Sequence, residues 1–250
     1  MAKLDSFDEL LNAPASTRKE VAASLYDQLY GPQLAKRAGA LPSKRRLKKI
    51  ALYEAIIGRG HESILEIGCG PGDLTYALVD HAEKVVAIDI SATAIELARM
   101  RKGLWPLSEA QQQKAEFCQM SAVQLDFPDA AFDWVVSTSV VEHLHPDDVS
   151  SHMSEVRRVL KVGGKYLMWC PNGLGHHADR EGHLSMMSYG EWMEKLTDAG
   201  FAGFRSTLTS RLPMVDARLK VVLESWLWRL KIKLMWSHLG VRNVLIVARK

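Results

Sequence analysis

Apolar positions divide the chain into two parts. Over the first sixty residues they recur at helical spacing. Ser16, Thr17 and the charged turn Arg18-Lys19-Glu20 lead into VAASLYDQLY, with Gly31-Pro32 as the predicted stop. A second helix is predicted through SKRRLKKIALYEAIIG, apolar at Leu47, Ile50, Ala51 and Ile57 and ended by Gly58 and Gly60. Beyond residue 61 the pattern changes to short apolar runs, SILEIG, KVVAIDI, AEFCQM, FDWVVST and GKYLMWC, separated by helices predicted from Gly72, Ser91, Pro146 and Ser188. The runs are continuous rather than alternating, as strands covered on both faces should be. Strands alternating with helices predict an α/β fold, a doubly wound, mostly parallel sheet. Ser188 with Glu191 reads as a capping box, and Ser91 follows its strand directly. GFRSTLTS and RNVLIVARK read as two closing strands, with a tryptophan-rich helical insertion over 211–240 between them. The expected organisation is a helical extension over 1–60 and one domain over 61–250 that carries the lid-like insertion.

Composition changes this picture little. The chain is 47% hydrophobic and 24% charged, which suits a globular protein with a sizeable core. A net charge of +3 does not argue for nucleic-acid binding, which usually needs clustered bases. Cys69, Cys118 and Cys170 are too few and too scattered for a disulfide framework or zinc knuckle, and they read as reduced core thiols. The N-terminal stretch carries acids where a signal peptide carries bases, and no run approaches ~20 apolar residues. A soluble, cytoplasmic protein is expected.

The strongest local signal is ILEIGCGPGDLT, residues 64–75, where strand, glycine cluster and helix follow without a gap. Glycines suit a bend that a ligand must approach closely. In an open α/β sheet such a crevice, at the carboxyl ends of the strands, is the binding place. A dinucleotide fingerprint starting at Gly68 would need a third glycine at 73, where Asp73 stands, and this counts against a nicotinamide oxidoreductase. The pattern is instead E-x-G-x-G-x-G, from Glu66 through Gly68 and Gly70 to Gly72. Asp89 closes the second strand, where a carboxylate can accept two hydrogen bonds from ribose hydroxyls.

These residues resemble the seven-stranded, class I S-adenosylmethionine-dependent methyltransferases, over about residues 62–209 and the last ten. ILEIGCGPGDLT looks like the family's first motif and VVAIDIS like its second. FDWVVSTSVVEHLHPDD is similar to its fourth strand and following loop, and VRRVLKVGGKYLMWCPN to the helix, turn and fifth strand. The resemblance implies a seven-stranded sheet ending in an antiparallel hairpin, with S-adenosyl-L-methionine as cofactor and S-adenosyl-L-homocysteine as product. It puts Glu66, Gly68, Cys69 and Gly70 at the methionine part of the donor. Asp89 would hold the ribose, Ile90 would pack on the adenine, and Ser121 and Ala122 would meet the adenine edge. Many relatives have Asp where Ser121 stands. Ser137 completes the implied contacts.

Methyl transfer to a hydroxyl also needs a base. The loop after the fourth strand offers Glu142 and His143, and His143 is the expected base or substrate-orienting group. The loop is also similar to the E-x-x-E-H signature of small-RNA 2′-O-methyltransferases and some quinone O-methyltransferases. That likeness would imply a divalent ion on Glu142, His143 and His183. Ser139 stands where its first acid would be, so no metal is expected. His176, His177, Asp179, Arg180 and Glu181 crowd the loop after the fifth strand, over the acceptor side.

In the insertion, Leu219, Val222, Leu223, Trp226 and Leu230 form one apolar stripe and Val221, Trp228, Ile232 and Met235 another. A lid over an apolar acceptor is the first reading, and a membrane-interface helix through 218–236 is the second. The partner expected is a small-molecule acceptor, methylated on an oxygen, and not a nucleic acid. An RNA 2′-O-methyltransferase and a non-catalytic donor-binding protein are the alternatives. Nothing in the sequence reports the oligomeric state.

Overall fold

The computed structural model describes residues 4–173, 182–210 and 241–250. Its first sixty residues form three helices: α1 (Leu4–Asn12), α2 (Arg18–Ala38) and α3 (Lys44–Ile57). Then come β1 (His61–Ile67), α4 (Asp73–Leu78), β2 (Ala82–Asp89), α5 (Ala92–Met100), α6 (Glu109–Gln113), β3 (Ala115–Gln119) and β4 (Phe132–Thr138). A 3₁₀ turn at Pro146–Asp148 leads into α7 (Val149–Val159). The order closes with β5 (Leu160–Pro171), α8 (Tyr189–Asp198), β6 (Ala202–Ser210) and β7 (Val241–Arg249).

The seven strands form one sheet in the order β3-β2-β1-β4-β5-β7-β6. β1 pairs in parallel with both β2 and β4, while β7 runs antiparallel between β5 and β6. The expected doubly wound sheet with its closing hairpin is therefore present. Its two faces are covered by different helices. Met153 and Val156 of α7 and Trp192 and Leu196 of α8 pack on one face, against Leu65, Val135 and Tyr166. Ile50, Tyr53 and Ile57 of α3 with Leu74 and Leu78 of α4 pack on the other, against Ile64, Trp134 and Val136. The strand order reverses between β2-β1 and β4-β5, and the carboxyl ends of β1 and β4 border the crevice where such folds bind ligands.

Local signals set most helix starts. The Ser43, Ser91 and Ser188 side chains each accept a hydrogen bond from an amide three residues on, and Ser188 and Glu191 form the full capping box. One predicted stop is overridden: α2 continues through Gly31-Pro32 to Ala38. Proline removes one helical hydrogen bond, but α2 lies along α5 and is pinned to it by Asp27. Cys69 and Cys170 are buried, whereas Cys118 is half-exposed because β3 is an edge strand. The helical reading of 211–240, with its membrane-interface segment 218–236, and the histidines of 174–181 lie outside the described residues. No described helix is long and apolar enough to cross a membrane.

Candidate donor and acceptor site

The bend between β1 and α4 carries Gly68 at φ +70° and Gly70 at φ +51°, left-handed backbone that L side chains resist. Space forbids side chains there as well. A Cβ on Gly68 would overlap the Val140 side chain, and one on Gly70 would come within 2.8 Å of the Tyr30 hydroxyl. Asp89, at the end of β2, accepts from the Gly70 amide at 2.9 Å and from the Ser91 amide at 3.0 Å. Burial raises its pKa, and those amides oppose the rise.

Two cavities meet at this bend and share Tyr30, Gly68 and Ser139. The larger, about 640 Å³, holds Asp89, Ile90, Ser121, Ala122 and His143 in its wall. The smaller, about 480 Å³, is walled by Cys69, Gly70, Asp73, Arg46 and Thr138. Asp89, the apolar Ile90 beside it and the segment after β3 thus share one chamber, and the glycine bend opens onto both cavities.

Three expected site residues line neither of these cavities. Glu66 lines neither cavity. It lies beneath the bend, 1% exposed, and its Oε2 accepts from the Thr75 hydroxyl at 2.5 Å. Burial pushes its carboxyl up to about 7. Ser137 lines neither cavity, and its side chain lies on the α7 side of the sheet, bonded to Tyr166. His152 Nδ1–H donates to the Ala122 carbonyl at 2.8 Å, so its Nε2 accepts from the Tyr166 hydroxyl at 3.0 Å. Ser137 then donates to Tyr166 at 2.6 Å. Burial pushes His152 down to about 4, which keeps this chain of bonds neutral. Glu142 is 1% exposed and also outside both walls.

In the wall of the larger cavity, His143 Nδ1–H donates to the Gly182 carbonyl at 2.7 Å, which leaves Nε2 with its lone pair. Burial pushes His143 down to about 4. The Glu142 carbonyl accepts from the Leu184 and Ser185 amides at 2.8 and 3.0 Å, and this pins the 182–185 segment to the loop after β4. His183 is thereby brought beside His143, with ring centroids 5.1 Å apart. One ligand-type atom each of Glu142, His143 and His183 lie within 4.8 Å of one another. Oε2 of Glu142 is buried with no hydrogen-bond partner among the described residues, and burial pushes that carboxyl up to about 8.

A domain profile described as a methyltransferase domain matches residues 65–168, the segment that builds the bend, Asp89 and the loop after β4. Residues 65–168 thus form a methyltransferase domain, on the fold of the class I, S-adenosylmethionine-dependent methyltransferases. An "eEF1A lysine and N-terminal methyltransferase" of Mus musculus is 34% identical over 114 residues, 42% of this chain and 16% of that protein. A "Phosphatidylethanolamine N-methyltransferase" of Cereibacter sphaeroides is 29% identical over 200 residues, 72% of this chain and 89% of that protein. Several curated relatives are matched over about half their length or less. Among solved structures, the [4+2]-cyclase SpnF superposes with a TM-score of 0.67 at 18% identity, over 93% of this chain and 96% of its own. At that identity the likeness establishes the fold alone.

The methyltransferase domain also recruits residues from the extension. Tyr26 and Tyr30 of α2 reach the larger cavity, and Arg46 of α3 reaches the smaller. The Tyr26 hydroxyl is buried without a hydrogen-bond partner among the described residues. Asp27 accepts from the Ser91 hydroxyl at 2.6 Å and the Thr93 amide at 2.9 Å, clamping α2 over the start of α5. Arg101 donates to Asp73 at 2.6 Å, both groups being buried, while Arg46 stands 3.9 Å from the other Asp73 oxygen. No motif in the sequence marks these residues.

Proposed function

We propose that this chain transfers the methyl group of S-adenosylmethionine to an oxygen of a small apolar or aromatic acceptor, with His143 as the base. One observation carries the reading: the Gly182 carbonyl holds the Nδ1 proton of a half-buried, neutral His143, which lines the same cavity as Asp89 and Ile90. The donor carbon is already activated by the sulfonium charge. The protein therefore mainly aligns the reactants, an effect that can supply roughly 7–11 kcal/mol. As the acceptor oxygen forms its bond to the methyl carbon, the carbon–sulfur bond breaks. The hydroxyl proton passes to Nε2, and S-adenosylhomocysteine leaves. Glu142 orients the loop through its backbone carbonyl.

The test is an acceptor screen with methyl-labelled donor, followed by His143→Asn on the best acceptor. Turnover should fall about 10²–10⁴-fold with donor affinity unchanged. Unchanged turnover removes His143 as base, and label on nitrogen removes the oxygen acceptor.

The convergence of Glu142, His143 and His183 favours a second reading, with a divalent ion at those residues. One carboxylate and two imidazoles fit a first-row divalent ion, and the buried Oε2 without a partner suits that role. When bound, such an ion would polarise the acceptor oxygen. Turnover lost to chelator and restored by manganese or zinc supports it, and turnover indifferent to chelator rejects it.

A further inference from the structure

Charge is distributed unevenly along this chain. Between Asp27 and Glu54 there is no acid, yet the stretch holds Lys36, Arg37, Lys44, Arg45, Arg46, Lys48 and Lys49. That is +7 over residues 28–53, while the remaining residues hold 25 bases against 29 acids, net −4. Two of the seven bases turn inward: Arg46 toward Asp73, and Lys49, whose Nζ sits 3.7 Å from the centroid of the Trp169 ring. Lys36, Lys44, Arg45 and Lys48 are exposed. Beside them stand large apolar side chains in water: Leu41 at 68%, Leu47 at 42% and Leu52 at 44% exposure. Ala51 and Ala55 complete the outer face of α3.

We propose that the face formed by residues 36–52 docks this protein on an anionic lipid bilayer. Bases bordered by exposed leucines on a helix suit insertion at the headgroup level, where leucine leaves water and lysine meets lipid phosphate. A nucleic-acid surface would match the charge but leave the three leucines unused, since strands of RNA or DNA are held by phosphate contacts and aromatic stacking. The face adjoins the site, because Ala40, Leu41, Pro42, Ser43 and Arg46 wall the smaller cavity. Docking would therefore bring the rim of that cavity to the bilayer. The inference does not depend on which atom is methylated.

The test is co-sedimentation of the full chain with phosphatidylcholine vesicles, with and without phosphatidylglycerol. Binding is expected only with the anionic lipid and should weaken sharply in about 1 M salt. K44E/R45E/K48E should weaken it by about a hundredfold, and L47S/L52S several-fold even at low salt. Calorimetric binding of S-adenosylhomocysteine, unchanged in both variants, shows that they fold. Equal binding by either variant and the parent overturns the proposal. So does retention of single-stranded RNA without vesicle binding, or no vesicle binding at all.

Discussion

The Gly70 amide donates to the Asp89 carboxylate at 2.9 Å, joining the first glycine bend to the end of the neighbouring strand. The acid that reads as a ribose acceptor thus also braces the bend. Oδ2 is used on Gly70 and Oδ1 on Ser91, and each oxygen keeps acceptor capacity for a ribose hydroxyl. Asp89→Asn replaces one acceptor oxygen with an NH₂ that faces a backbone donor. Calorimetry should show affinity for S-adenosylhomocysteine lowered about a hundredfold, on the order of 2–3 kcal/mol. A loss below about threefold would contradict both roles.

Tyr30 and Gly70 are matched in shape. Gly70→Ala places a methyl group 2.8 Å from the Tyr30 hydroxyl on left-handed backbone. Donor affinity should drop at least about tenfold. Adding Tyr30→Phe removes the clashing oxygen but not the backbone strain, so it should restore only part of the loss. A double-mutant cycle with a coupling energy near zero would count against the contact.

Arg46 brings a positive charge to the smaller cavity, where Arg101 already neutralises Asp73. We predict that it binds the carboxylate of the donor's methionine end. Arg46→Ala should weaken S-adenosylhomocysteine by about ten- to a hundredfold and leave 5′-methylthioadenosine, which has no carboxylate, within about twofold. Equal weakening of both ligands would show that Arg46 supports the fold rather than the carboxylate.

Glu66 predicts a pH-dependent stability. Burial raises its carboxyl from 4.5 to about 7, with the Thr75 hydroxyl and Arg46 opposing. The folded state therefore holds this proton more tightly than the unfolded chain. The stability it contributes is full below about pH 4.5 and is lost as pH rises through about 7. Glu66→Gln should stabilise the donor-free protein at pH 8, by up to ~3 kcal/mol, and change it little at pH 4.5. Chemical denaturation at both pH values checks this, and a gain that does not grow with pH contradicts the buried, protonated carboxyl.

Much of the fold was legible because its signals are local. Continuous apolar runs mark doubly covered strands, Ser91 and Ser188 mark helix starts, and the glycines at 68 and 70 mark a left-handed bend. Other features were not. Gly31-Pro32 reads as a stop by local preference, yet packing of α2 on α5 carries the helix past it. Glu66 and Ser137 lie in stretches that match the family's motifs, but buried partners, Thr75 and Tyr166, engage their side chains and neither lines a cavity.

By itself the sequence determined the strand and helix order and the glycine bend after β1, and it singled out Asp89 at the end of β2, since each depends on neighbours within one strand-to-helix step. Only the tertiary structure decided that the extension supplies Tyr26, Tyr30 and Arg46 to the cavities, and that His183 stands beside His143. Those pairings join residues tens of positions apart. Contacts at that separation follow from how helices pack on the finished sheet, which no local preference encodes.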